Sequence, residues 1–308
     1  MRDAAVWTTV VAPGSRDLED DIMAFRLVDC ISVGSGAANE DRIGAFRDLA
    51  WVVDGATDLL DEPLIASAPS DAYWFAGEVH AALAQVAAAD RAISLADVPA
   101  IVAAMIAPRF AAIAGRAPRL RHEVPSAAGL VVRLEAGTLS YVALSDCSLL
   151  VMRDGAVRRH GANVDDAGDR HLVDSVARSR AAPRATDRNA DMLVVMRREL
   201  QRGRDAFNTE DGYGVFSTLA PPRRHIVLGD TPAPTGTRLL LASDGFMRLA
   251  DVFAVYTPAS LFEAVLARGL ASLVDELRAI ERGEASADTH PRVKASDDAS
   301  ALLLEIVA

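Results

Sequence analysis

The chain has 308 residues, 51% of them apolar, which is enough for a substantial buried core and unlike a disordered or fibrous composition. Asp and Glu total 43 against 32 Lys and Arg, a formal charge of -11, so neither nucleic acid nor an anionic membrane is an expected partner. Lys294 is the only lysine, which excludes a Gly-Lys-Ser/Thr phosphate loop, and two cysteines, Cys30 and Cys147, are too few for a disulfide framework and fit a reducing, cytoplasmic setting.

The first ten residues lack the apolar run of a secretory signal, so no export is expected. Short β-like runs follow at 5–11 and 28–33, then at 41–45 and 49–53, the last two facing each other across Phe46-Arg47-Asp48 as an antiparallel hairpin. Two amphipathic helices come next. One aligns Phe75, Val79, Leu83 and Val86 behind Ser70 as N-cap; the other aligns Val102, Met105, Ile106, Phe110 and Ile113 behind Asp97 and Pro99. The apolar stretch 98–115 is interrupted by Pro99, Pro108 and Arg109 and falls short of a bilayer span. Strands return at 130–134, 139–144 and 149–152, with turns at Glu135-Ala136-Gly137 and Ser145-Asp146-Cys147, the pattern of a meander.

Residues 160–222 shift to Arg, Asp, Ala and Gly, with helical periodicity only over 192–200, and are expected to form a mobile flap. A strand at 238–242, helices from Thr257-Pro258 through Leu277, a polar loop at 283–292 and a closing strand at 301–307 complete the pattern. Strands at both ends enclosing helix pairs predict one α+β domain over 1–308, with antiparallel sheets carrying helices on their outer faces.

The acids are placed unusually. Ala50-Trp51-Val52-Val53-Asp54-Gly55 and Leu239-Leu240-Leu241-Ala242-Ser243-Asp244-Gly245 are apolar strands that each end in Asp-Gly. Ser296-Asp297-Asp298-Ala299-Ser300 instead puts acids at the start of its strand, so antiparallel pairing carries them to the same edge. By the same rule Glu40 and Asp41, which open the hairpin that Asp54 closes, lie beside Asp54, and Asp146 can join them from its turn. Carboxylates gathered at one partly buried edge take up protons unless cations neutralise them. Oxygen donors without a His or Cys pair select Mg²⁺ or Mn²⁺, with Ca²⁺ admissible and Zn²⁺ disfavoured. Gly55, lacking a Cβ, lets its carbonyl or a bound water approach an ion. Ions bridged by one carboxylate lower the pKa of a shared water and supply hydroxide for attack on a phosphate ester.

Not every Asp-Gly is a ligand: Asp154-Gly155 reads as a turn and Asp211-Gly212 as a loop. Gly34-Ser35-Gly36 lacks the third glycine and following helix of a nucleotide loop, and the histidines read as structural or surface groups.

In order, Asn39-Glu40-Asp41-Arg42, Trp51-Val52-Val53-Asp54-Gly55-Ala56-Thr57, Tyr141-Val142-Ala143-Leu144-Ser145-Asp146-Cys147-Ser148, Leu241-Ala242-Ser243-Asp244-Gly245-Phe246 and Asp297-Asp298-Ala299-Ser300 resemble the motif series of the metal-dependent PP2C-type protein phosphatases, from the strand at 28–33 to the C-terminus. The resemblance implies an αββα four-layer sandwich, two antiparallel sheets flanked by helix pairs, with two or three Mg²⁺ or Mn²⁺ ions in a cleft at the sheet edge. It implies hydrolysis of phosphoserine or phosphothreonine in a phosphorylated protein substrate by metal-activated water, with Asp54, Asp244 and Asp41 carrying the chemistry. Asp54 then corresponds to the bridging ligand and Gly55 to the carbonyl ligand, while Asp244 and Asp297 complete the first ion's shell. Glu40 and Asp41 act through metal-bound water, Asp146 helps hold a third, weaker ion with Asp244, and Asp298 supports the ligands from behind.

Two positions depart from the family pattern. Gly36 stands where a phosphate-binding Arg is frequent, with Arg42 as the candidate substitute, and Ala56 stands where some members place a general-acid His. Those departures raise a rival reading, a catalytically weak or silent module that binds a partner. A phosphatase for small phosphorylated metabolites is a third reading that shares the metal site.

Overall fold

The computed structural model describes residues 23–89, 93–161, 192–283 and 289–308. The expected strand at 5–11, residues 162–191 of the expected flap and part of the 283–292 loop lie outside the described residues.

Two antiparallel sheets form the centre. In the five-stranded sheet the order is β1 (Ala24–Val33), β11 (Ala299–Val307), β10 (Arg238–Ala242), β6 (Ser148–Arg153) and β7 (Ala156–Gly161). In the six-stranded sheet it is β2 (Asp41–Phe46), β3 (Leu49–Gly55), β4 (Ser126–Glu135), β5 (Thr138–Leu144) and β9 (Val227–Pro232), with β8 (Phe216–Ser217) also paired to β4.

Because successive strand residues point to opposite faces, strands apolar at every position must be covered on both sides. Val52, Leu130, Val132, Leu149, Val151, Leu239, Leu241, Leu302 and Leu304 fill the space between the sheets. Their neighbours Trp51, Val53 and Val131 turn outward onto α1 (Asp71–Ala88) and α2 (Val98–Ile113). α3 (Leu193–Arg204) sits apart, Met196 and the adjoining Met192 packing against Val293. On the far side Leu150, Leu240 and Leu303 meet α4 (Asp244–Asp251), α5 (Pro258–Arg268) and α6 (Leu270–Glu281). The layers are therefore αββα, as the sequence predicts. Ser70 Oγ accepts from Tyr73 N at 2.9 Å as the N-cap of α1, and Thr257 with Ser260 forms a capping box ahead of α5.

Three expectations change. The strands at 139–144 and 149–152 are not meander partners: after Leu144 the chain turns at Ser145, φ 62°, and crosses to the other sheet, where β6 lies between β10 and β7. β6 buries Leu149 and Val151 between the sheets and Leu150 against the outer helices, so it needs a central place. The segment Leu95–Ile113 is, at 19 residues, long and apolar enough by length and composition to cross a membrane, where the sequence reading had it fall short. A 3-10 turn at Leu95–Asp97 extends it, Pro99 falls in the first turn where no N–H partner is lost, and Pro108 is accommodated within the helix. It lays Val98, Val102 and Ile106 into the core against β-sheet and α1. In the described part of 160–222, β8 pairs with β4 through Ser126↔Ser217 and Asn208 Nδ2 donates to the carbonyls of Val215 and Leu219 at 3.0 and 2.6 Å, so this part is tied to the sandwich rather than free. Asp154-Gly155 is the turn joining β6 to β7, both residues at positive φ, 51° and 76°.

Gly44 faces Trp51 across the hairpin; a Cβ there would lie 2.5 Å from the buried indole, whose Nε1 donates to His80 Nδ1 at 3.2 Å. Gly44→Ala is expected to lower thermal stability by about 1–3 kcal/mol. Gly36→Ala, whose methyl would meet no atom within 4 Å, is expected to stay within about 0.5 kcal/mol of the parent.

Candidate metal centre

Strand register assembles the acids. Asp41 and Asp54 are direct partners across the β2–β3 ladder, and Gly55 N donates to the Glu40 carbonyl at 3.2 Å. In the other sheet Ala242 pairs with Ala301 and Ser243 N donates to the Ser300 carbonyl at 3.0 Å. Asp244, opening α4, and Asp297-Asp298, just before β11, thus reach one edge from opposite chain directions. Ser300 Oγ donates to Ser32 Oγ at 2.7 Å, tying β11 to β1 beside them.

The electrostatics follow from that convergence. Burial, then the charges of Asp41, Asp244, Asp297 and Asp146, drives the Asp54 carboxyl well above the usual carboxylate range. Asp244 is raised by burial and by Asp297, and it shares a hydrogen bond with Asp54. The two carboxyls titrate as one pair. Asp41 is pushed up to about 8 by burial and then by Asp298. Ser243 and Ser300 favour its charged form, yet their hydroxyls point to the Ser300 carbonyl and to Ser32, and both Asp41 carboxylate oxygens are buried without a hydrogen-bond partner.

Those orphaned oxygens and the oxygen-only donor set fit a hard divalent ion, Mg²⁺ or Mn²⁺. Gly55 fits as well: a Cβ there would stand 2.8 Å from the Glu40 carbonyl and 3.1 Å from that of Ala72. Among the described residues, however, no three acidic, His or Cys side chains stand ready as a coordination set. Asp54 and Asp244 share a proton, and Asp297 is already paired.

Asp297 Oδ2 accepts from Arg248 Nη2 at 2.7 Å and Oδ1 from Lys294 Nζ at 2.7 Å. Burial pushes this carboxyl up, but Lys294 and Arg248 outweigh it and hold the group below the ordinary value. Arg248 Nη1 also reaches the fully buried Glu281 at 3.2 Å, which is paired in turn with Arg278 at 2.6 Å. Sequence reasoning missed both partners of Asp297. Signals existed: Lys294 is the sole lysine and lies one turn's distance before Asp297, and Arg248 follows Asp244 at helical spacing.

The remaining expected residues take other positions. Glu40 accepts from Ser70 Oγ at 2.5 Å and from Thr57 Oγ1 at 3.4 Å, which fixes it to the N-terminus of α1, and burial raises its pKa. Asp298 accepts from Ser35 N and Oγ at 2.7 and 2.9 Å and from Glu40 N at 2.6 Å, so it holds the β1–β2 loop. Asp146, in the β5–β6 turn, is near enough for its charge to raise Asp54. Arg42 is engaged by the chain itself. Its Nη1 donates to the carbonyls of Asn39 and Asp41, both at 2.7 Å, and its guanidinium lies over the Tyr73 ring at 4.5 Å, so it buttresses the start of β2. Gly36 is surrounded by open space.

No protein-family model and no curated protein matches the sequence. Solved structures match nearly all of it. The Mycobacterium tuberculosis serine/threonine phosphatase PstP/Ppp aligns with a TM-score of 0.54 at 17% identity, covering 92% of this chain and 100% of that one. The PstP catalytic domain in complex with 2 manganese ions aligns with a TM-score of 0.54 at 20% identity, over 93% and 100%. The S. agalactiae serine/threonine phosphatase gives 0.51 at 12% identity, over 93% and 100%. The chain has the fold of these phosphatases.

Proposed function

We propose that the chain is a cytoplasmic, Mg²⁺- or Mn²⁺-dependent phosphomonoester hydrolase acting on phosphoserine or phosphothreonine in protein substrates. The observation that carries this reading is the meeting of Asp41, Asp54 and Gly55 from one sheet with Asp244 and Asp297 from the other, on a fold shared with serine/threonine phosphatases. Two ions held by Asp54, Gly55, Asp244 and Asp297, with a third at Asp146 and Asp244, would supply a lowered water pKa and screening of the phosphate charge.

The chain's own residues do the rest. Asp54 and Asp244, which share a hydrogen bond, would both serve as ligands in their charged forms. Asp41 and Glu40 are placed to accept hydrogen bonds from ordered water, and Asp298 fixes the loop that carries Glu40. Ala56 offers no proton donor to a leaving group, which favours phenolate over alkoxide departure.

The test is turnover of an aryl phosphate and of a phosphothreonine peptide by the full chain. Mn²⁺ is expected to support both, and EDTA to lower the rates by at least about a hundredfold. Equal turnover with EDTA would reject the metal-dependent reading, and strong preference for a compact phosphorylated metabolite over the peptide would move the substrate class.

A further inference from the structure

We infer that Lys294 is a built-in counter-cation that competes with divalent ions for Asp297, so that the lysine sets how tightly this site loads. The inference rests on the metal-dependent reading above and concerns how that site is regulated. Each oxygen of Asp297 has a cation on it, Lys294 Nζ on Oδ1 and Arg248 Nη2 on Oδ2, both at 2.7 Å. A divalent ion bound by Asp297 would approach an oxygen against the positive charge of an ammonium or a guanidinium 2.7 Å from it.

The two cations are not equally able to yield. Arg248 is locked: its side chain is 9% exposed, and its guanidinium also serves the fully buried Glu281, which Arg278 pairs from the other side. Withdrawing it would take a partner from two buried carboxylates at once. Lys294 is half-buried at 24% exposure, carries a compact charge on a flexible four-carbon stem, and has Asp297 as its ion-pair partner. It can swing toward solvent at the cost of its pair with Asp297 and of a weaker attraction to Asp54 and Asp244.

The loop that presents Lys294 is built to hold it there. Arg292, 5% exposed, donates from Nε to the Ala295 carbonyl at 2.9 Å, from Nη1 to that of His290 at 3.0 Å and from Nη2 to that of Glu281 at 3.3 Å. The Arg292 guanidinium stacks over Phe253 at 5.3 Å. On the other side Met192 N donates to the Val293 carbonyl at 2.7 Å, and Met192 and Met196 pack on Val293. Lys294 therefore meets the acids from a braced turn.

Mn²⁺ binding to the full-length protein, measured by calorimetry and by the electron-spin signal of free Mn²⁺, tests this. Lys294→Met is expected to tighten the strongest Mn²⁺ site by about tenfold, the scale of one partly screened charge pair, and Lys294→Arg to leave it near the parent value. A second readout needs no variant: since Lys294 is the only lysine, an amine-acylating reagent followed by peptide mass spectrometry reports on it alone among side chains. Saturating Mn²⁺ is expected to raise its labelling rate several-fold, about the change for releasing one ion pair. Equal or weaker Mn²⁺ affinity in Lys294→Met, or unchanged labelling in protein shown to hold Mn²⁺, overturns the inference and leaves the metal-dependent reading standing. Failure of every form to bind Mn²⁺ overturns both.

Discussion

Asp54→Asn is expected to lower aryl phosphate turnover at saturating Mn²⁺ by at least about a thousandfold and, in the same molecule, to raise the thermal stability of the metal-free protein. Both effects come from one carboxyl. As an ion ligand Asp54 must be charged, yet burial and the surrounding charges of Asp41, Asp244, Asp297 and Asp146 make that charge costly. Asparagine has the same shape and places a permanent N–H donor beside Asp244, with which Asp54 shares a hydrogen bond. It therefore mimics the protonated state at every pH and removes the penalty of ionising a crowded site. In EDTA near neutral pH the gain is expected on the order of 1–2 kcal/mol, read as a higher melting midpoint. A variant that keeps activity within tenfold of the parent would remove Asp54 from the chemistry. One that loses activity and stability together would mark it as a structural residue.

Much of this site is legible in the sequence because the relevant rules are local. Strand period and antiparallel direction suffice to put Asp41 opposite Asp54 and to bring strand-ending Asp244 and strand-preceding Asp297 to one edge. What a local pattern does not carry is which sheet a doubly buried strand joins. Leu149, Leu150 and Val151 demand cover on both faces, and that demand is met equally well beside β5 or beside β10; only the closing of the whole sandwich selects the latter. The same limit hides the partners of Asp297. Arg248 is 49 positions away and reads as an ordinary polar residue of an amphipathic helix until the α4–α6 packing sets it between Asp297 and Glu281. Arg42 is a further case: next to the acids in sequence it reads as a candidate anion ligand, and what the sequence does not show is that its Nη1 donates to the Asn39 and Asp41 carbonyls and its guanidinium lies over Tyr73.

In EDTA, the melting temperature is expected to fall as pH rises from about 5 to about 8.5, by roughly 5–10 °C, and Mn²⁺ to flatten the slope. The sign follows from proton counting. In the unfolded chain carboxylates release their protons near pH 4, whereas folded Asp41 holds its proton up to about 8. Asp54, Asp244 and Glu40 are raised in the same direction, each chiefly by burial. Between those values the folded state binds more protons than the unfolded one, so each step up in pH favours unfolding until the folded groups have also titrated. Asp297 works in the opposite sense, since Lys294 and Arg248 hold it below its ordinary value; its contribution is present above about pH 4 and is lost only on acidification, outside this window. A divalent ion replaces the missing protons as neutralising charge, so its stabilisation should be small near pH 5, where it competes with protons for the same oxygens, and large near pH 8.5. At a hundredfold excess over its dissociation constant it amounts to about 2.7 kcal/mol. A melting temperature that does not move with pH in EDTA, or a Mn²⁺ shift equal at both ends of the range, would mean that these acids do not titrate as one buried cluster. The raised titration of Asp41 and of the Asp54–Asp244 pair would then have to be abandoned.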